Sequence, residues 1–94
     1  MRHEYMKLVP QNITVTFTNI HSSPSVGESI HVYLERPTEH GFDRAEYVLP
    51  VCCLKKCFGF QEDEEYALRQ FVKNNSPLIW EIAREDGEII ADPV

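Results

Sequence analysis

The sequence predicts an α+β domain: an antiparallel three- to four-stranded β-meander covered on one face by two to three C-terminal helices. Three observations lead there. Apolar and polar residues alternate with a period of two between Asn12 and Leu49, the apolar spacing becomes helical after Pro50, and the connections between the alternating runs are short. Short links between consecutive strands favour antiparallel neighbours. At 94 residues the chain is expected to form one domain over 1–94, with a sheet from about residue 4 to 50, helices from 51 to 85 and a tail from 86 to 94.

The stretch before Pro10 admits a short strand with Tyr5, Lys7 and Val9 on one face. The clear signal begins at Asn12, where Ile13, Val15 and Phe17 share one face and Thr14, Thr16 and Thr18 the other. His21 to Ser29 reads as a loop, being rich in Ser with Pro24 and Gly27 inside it. The second strand, Ile30 to Glu35, turns Ile30, Val32 and Leu34 inward. Arg36 to Gly41 is a turn. The third strand, Arg44 to Leu49, places Ala45, Tyr47 and Leu49 on one face and ends at Pro50. One apolar face per strand means a sheet covered on a single side.

Beyond Pro50, Val51, Cys53, Leu54, Cys57 and Phe58 fall on one helical arc, with Lys55 and Lys56 outside it. Gly59 suits the left-handed cap of that first helix. A second helix is expected from about Gln61, with Glu62, Asp63, Glu64 and Glu65 in the first turn, where carboxylates complement the helix dipole. Ala67, Leu68, Phe71 and Val72 form its buried stripe. Asn74-Asn75 breaks the pattern, and Ser76-Pro77 restarts it as an N-cap followed by proline at the first helical position. Leu78, Ile79, Ile82 and Ala83 give the third helix its stripe, with Trp80 at the margin, and Asp86-Gly87 stops it. Glu88 to Asp92 reads as a tail with Ile89 and Ile90 docked, a short edge strand being the alternative.

The 43% hydrophobic and 26% charged content is that of an ordinary globular protein. No apolar run approaches the roughly 20 residues of a membrane span. The first residues lead into no signal-peptide core, so a cytoplasmic location is expected. The net charge of −6 is uneven, because acids and bases balance over residues 1–59 and the whole excess falls in 60–94. Such a helical half would repel phosphate backbones, so direct nucleic-acid binding is not expected; it would attract a basic protein instead.

Cys52, Cys53 and Cys57 make an odd, clustered set, which is a poor disulfide framework and reads as reduced thiols. Cys53 and Cys57 stand at i, i+4 and are weak metal candidates. A structural zinc needs four ligands, and the others would have to come from distant histidines such as His31 or His40. A core role is therefore preferred. Without a nucleophile elbow, paired-carboxylate motif or phosphate-binding glycine loop, no catalytic residue and no cofactor are assigned.

The partner-binding candidates are His31, Tyr33 and Arg44, on the sheet face the helices leave open, with Glu62, Asp63, Glu64 and Glu65 at the helix start. That sheet face also carries Thr14, Thr16, Thr18, Glu46 and Val48, and Tyr and Arg are enriched at interfaces. The acidic run has a plainer reading as a solvated, dipole-matched first turn. The expected function is a small non-enzymatic cytoplasmic protein-interaction module whose partner is another protein, small and basic. The alternatives are a Cys/His enzyme or zinc-binding protein, and an acidic inhibitor mimicking nucleic acid. Exposed strand edges permit a homodimer without requiring one.

Ile30-His31-Val32-Tyr33, Tyr47-Val48-Leu49-Pro50, Lys56-Cys57-Phe58-Gly59-Phe60, the amphipathic run Ala67 to Val72 and Leu78-Ile79-Trp80-Glu81 follow one another in a recognisable order. Over about residues 13–84 that order resembles a family of small bacterial proteins known as domain of unknown function 4160. Only His31 stands where that family has a paired His-x-His, with Ser29 at the first position, and Pro50 lacks the preceding Asp. The resemblance implies a small α+β protein encoded beside another small protein in a toxin–antitoxin-like gene pair, with no established chemistry.

Overall fold

The alternation between residues 12 and 49 builds the centre of a larger sheet than it predicts. A computed structural model describes residues 2–86 and 89–91. Among these residues there are seven strands and one helix: β1 (Arg2–Leu8), β2 (Ile13–Thr18), β3 (His21–Ser23), β4 (Gly27–Thr38), β5 (Gly41–Leu49), β6 (Cys53–Phe58), α1 (Glu62–Asp86) and β7 (Ile90–Ala91). The expected three- to four-stranded meander under two to three helices is thereby corrected to a mostly β protein with a single C-terminal helix.

β4 is the hub. It pairs antiparallel with β2, β3 and β5; β1 flanks β2, and β6 flanks β5. The sheet is mixed because β7 pairs parallel to β3, with His21 opposite Ile90 and Ser22 opposite Ala91. The docked tail is corrected on this point: Ile90 and Ala91 form a short strand, and Ile89 and Ile90 are exposed rather than sunk in the core. Gly87, Glu88 and Asp92, on which the expected helix stop and tail also rest, lie outside the described residues.

The inward residues are those the alternation selects. Ile13, Val15, Phe17, Ile30, Val32, Leu34, Ala45, Tyr47 and Leu49 are all buried, and Leu68, Val72, Ile79 and Ala83 of α1 lie on them. Burying a side chain of this size contributes about 1.5–3 kcal/mol, so this one layer of helix on sheet is where the stability resides.

The first expected helix is a strand. The chain turns through Pro50 to Cys52, where Cys52 takes φ +60°, and returns along β5. A like turn, with φ +61° at Asn12, joins β1 to β2. In β6 the register shifts between Glu46 and Tyr47 of β5, whose partners are Lys56 and Leu54, so Lys55 is an extra residue. The bulge puts Leu54 and Cys57 on the same face three positions apart, which imitates a helical period. Cys53 and Cys57 are exposed and only Cys52 is buried, which corrects the core role given to the first two. Gly59, φ +90°, caps no helix; it lies in the bend between β6 and α1.

A bulge at Tyr5 likewise breaks the parity of β1. Tyr5 packs edge-on against Phe17 and Phe71 on the helix side, whereas Lys7 pairs with Thr14 on the other.

The second and third expected helices are one. Their stripes, Leu68 and Val72 against Ile79 and Ala83, are eleven residues apart, about three helical turns, and so stay in phase across Asn74 to Pro77. Pro77 sits inside α1, on its exposed side, and has no N–H to offer the carbonyl four residues back. Two residues earlier, Asn75 Nδ2 donates to the Phe71 carbonyl at 2.8 Å and Asn75 Oδ1 accepts from the Tyr5 hydroxyl at 2.6 Å, which ties the helix to β1 at this point.

Candidate functional site

With α1 on one face, the other face of the sheet is open, and Thr14, Thr16, Thr18, His31, Tyr33, Arg44, Glu46 and Val48 all lie on it. The register sets them in rows: Glu4, Thr16, Tyr33, Glu46 and Lys56 across one, and Lys7, Thr14, Glu35, Arg44 and Phe58 across the next. Side chains opposite one another on neighbouring strands are the ones that interact.

This face is built, not merely solvated. Arg2 reaches over from β1 with its guanidinium 3.6 Å from the centre of the Tyr33 ring and Nη1 donating to Glu35 Oε1 at 3.2 Å. His31 Nδ1 donates to Glu46 Oε2 at 2.6 Å, and its ring meets the edge of the His21 ring. Burial first, and the Glu46 carboxylate second, push the Tyr33 hydroxyl above its ordinary pKa. Thr16 Oγ1 is buried without a hydrogen-bond partner among the described residues, so the row is already partly desolvated. Arg2, Tyr33, Glu35, Arg44, Glu46 and Lys56 surround a polar depression of about 200 Å³. A mostly apolar hollow of about 280 Å³ lies on the helix side, among Leu8, Ile13, Ala67, Leu68 and Phe71.

Of the sequence candidates, His31, Tyr33 and Arg44 come together on the open face. Glu62 to Glu65 sit elsewhere, at the start of α1 on the covered side, and they divide. Glu64 accepts from Arg36 Nη1 at 2.7 Å and from the Gln61 backbone at 3.0 Å, closing the helix N-terminus, and both bonds hold its carboxyl below the usual range. Glu65 accepts from the Tyr47 hydroxyl and, at 3.1 Å, from Arg69 Nε, with the same downward effect. Only Glu62 and Asp63 remain exposed.

The thiols do not converge. Cys53 is opposite Val48 on the open face and Cys57 opposite Ala45 on the helix side. Burial pushes the Cys52 thiol up, and desolvation followed by the Glu65 carboxylate pushes Cys57 up, both away from the reactive thiolate. Among the described residues, no three His, Cys, Asp or Glu side chains form a metal-binding group. None of the described helices is long and apolar enough to cross a membrane.

No family model, curated protein or solved structure matches the chain.

Sequence reasoning missed Arg2, Glu35 and Lys56. Glu35 shares the parity of His31 and Tyr33 and was legible on that ground. Arg2 lies in a strand whose alternation a bulge interrupts, and Lys56 was hidden by the helical spacing of β6.

Proposed function

We propose that this protein is a small non-enzymatic interaction module of the cytoplasm that binds a partner protein through the open face of its sheet. The observation that carries this reading is the paired network of Arg2, Tyr33, Glu35 and Glu46 around a polar depression, with His31 bonded to Glu46 beside it. Interface hot spots draw on Tyr and Arg held in place by neighbours, and a side chain fixed before binding costs less entropy on binding. The acidic start of α1 is a weaker candidate, because two of its four carboxylates are occupied within the molecule. A toxin–antitoxin-like setting rests on the family resemblance alone.

Affinity capture from the native cell tests the reading. A protein recovered in stoichiometric amount with the wild type should be lost with Tyr33→Ala and retained with the double variant Glu62→Lys, Asp63→Lys. Retention with Tyr33→Ala and loss with the helix variant would place the interface on the helix instead.

A further inference from the structure

The arginines of this protein follow one pattern with one exception. Arg2 pairs with Glu35 and lies over Tyr33; Arg36 pairs with Asp43 and Glu64 and lies over Phe60. Arg69 pairs with Glu65 and lies over Tyr47; Arg84 pairs with Glu28 and lies over Trp80. Arg44 has neither a carboxylate partner nor a ring among the described residues, and it lines the polar depression.

The register explains how Arg44 comes to be vacant. Its cross-strand neighbour on β4 is Glu35, the expected ion-pair partner, but Glu35 is held by Arg2 from β1. One row along, Lys56 on β6 is opposite Glu46, and Glu46 is held by His31. Both acids are thus diverted towards the β1–β4 side. Among the described residues, the neighbouring cations Arg44 and Lys56 are left without an ion-pair partner on the β5–β6 side, at the wall of one depression.

Resting on the open-face reading, we propose that Arg44 and Lys56 form an anion subsite within it, which takes one carboxylate from an acidic side chain of the partner. A guanidinium fork binds a carboxylate with two parallel hydrogen bonds, and Lys56 adds a point charge beside it. A carboxylate is assigned because the partner is read as a protein, and the anionic side chains of a protein are those of Asp and Glu.

Acetate, titrated into the full chain at constant ionic strength against chloride and followed by amide NMR, is the probe. Saturable shifts should centre on Tyr33, Arg44, Ala45 and Lys56 and weaken about tenfold or more in the double variant Arg44→Gln, Lys56→Gln. The double variant Lys55→Gln, Lys73→Gln, which removes as much charge elsewhere, should titrate like the wild type. Shifts that never saturate, or that persist in the Arg44/Lys56 variant, overturn the subsite, and tighter binding of inorganic phosphate at the same amides overturns the carboxylate assignment. If acetate fails to bind while Tyr33→Ala still loses the partner, the subsite falls and the open face stands. If Tyr33→Ala keeps the partner, it is the open-face reading that falls.

Discussion

Arg36 joins three elements. Its Nε and Nη2 donate to Asp43 on β5 at 2.9 and 2.7 Å, and its Nη1 reaches Glu64 at the start of α1. Asp43 in turn occupies the space beside Gly59, where a Cβ would clash with its carboxylate, so the bend before the helix needs a glycine for room as well as for its positive φ. Removing Arg36 would leave the Asp43 and Glu64 carboxylates without their shared partner. Arg36→Ala should lower stability by about 2–3 kcal/mol, read as a shift in the urea midpoint at unchanged slope. Glu64 and Glu65 carry a pH signature as well. Their folded pKa values lie below the ordinary 4.5, through the Arg36 and Tyr47 hydrogen bonds respectively. A carboxylate with a lowered folded pKa adds stability above its unfolded value, and that stability is lost as the pH falls through the folded one. The urea midpoint should therefore decline below about pH 4.5, and less steeply in Glu64→Gln; equal slopes for the two proteins would remove Glu64 from the account.

At the scale of elements, strands with unbroken parity were legible and bulged ones were not. β2, β4 and β5 could be read from Ile13-Val15-Phe17, Ile30-Val32-Leu34 and Ala45-Tyr47-Leu49, and so could the residues of the open face between them. In β6 one extra residue, Lys55, moved the apolar positions onto a helical spacing, and no propensity in Cys-Leu-Lys-Lys-Cys opposed that reading. In α1 the error was the reverse. Local chemistry at Ser76-Pro77 signals a helix start, but the stripe running in phase from Leu68 to Ala83 carries more burial than one missing hydrogen bond can offset. A proline in a helix interior costs roughly 3 kcal/mol relative to alanine, part of which Pro77 recovers by restricting the unfolded chain. Pro77→Ala should accordingly stabilise the protein by about 1 kcal/mol or more, raising its thermal midpoint. A lower midpoint would mean that α1 depends on its proline.

Over the whole molecule, one face of the sheet is covered by α1 and the other is left open. The covered face holds the core and the ion pairs that fasten α1; the open face holds polar groups already paired and oriented, with Arg44 and Lys56 lacking a carboxylate partner among the described residues. The charge balance of the sequence pointed to the acidic helical half, because a sequence gives the number of carboxylates and not which of them are occupied. Pairing within the fold occupies Glu64 and Glu65, while Arg44 and Lys56 on the opposite face have no carboxylate partner among the described residues. The most direct test is the equilibrium affinity of the purified partner for the wild type, Tyr33→Ala, and Glu62→Lys with Asp63→Lys. A loss of about tenfold or more for Tyr33→Ala, with the helix variant within about twofold of wild type, is the predicted result. Unchanged affinity for Tyr33→Ala together with a large loss for the helix variant would contradict it.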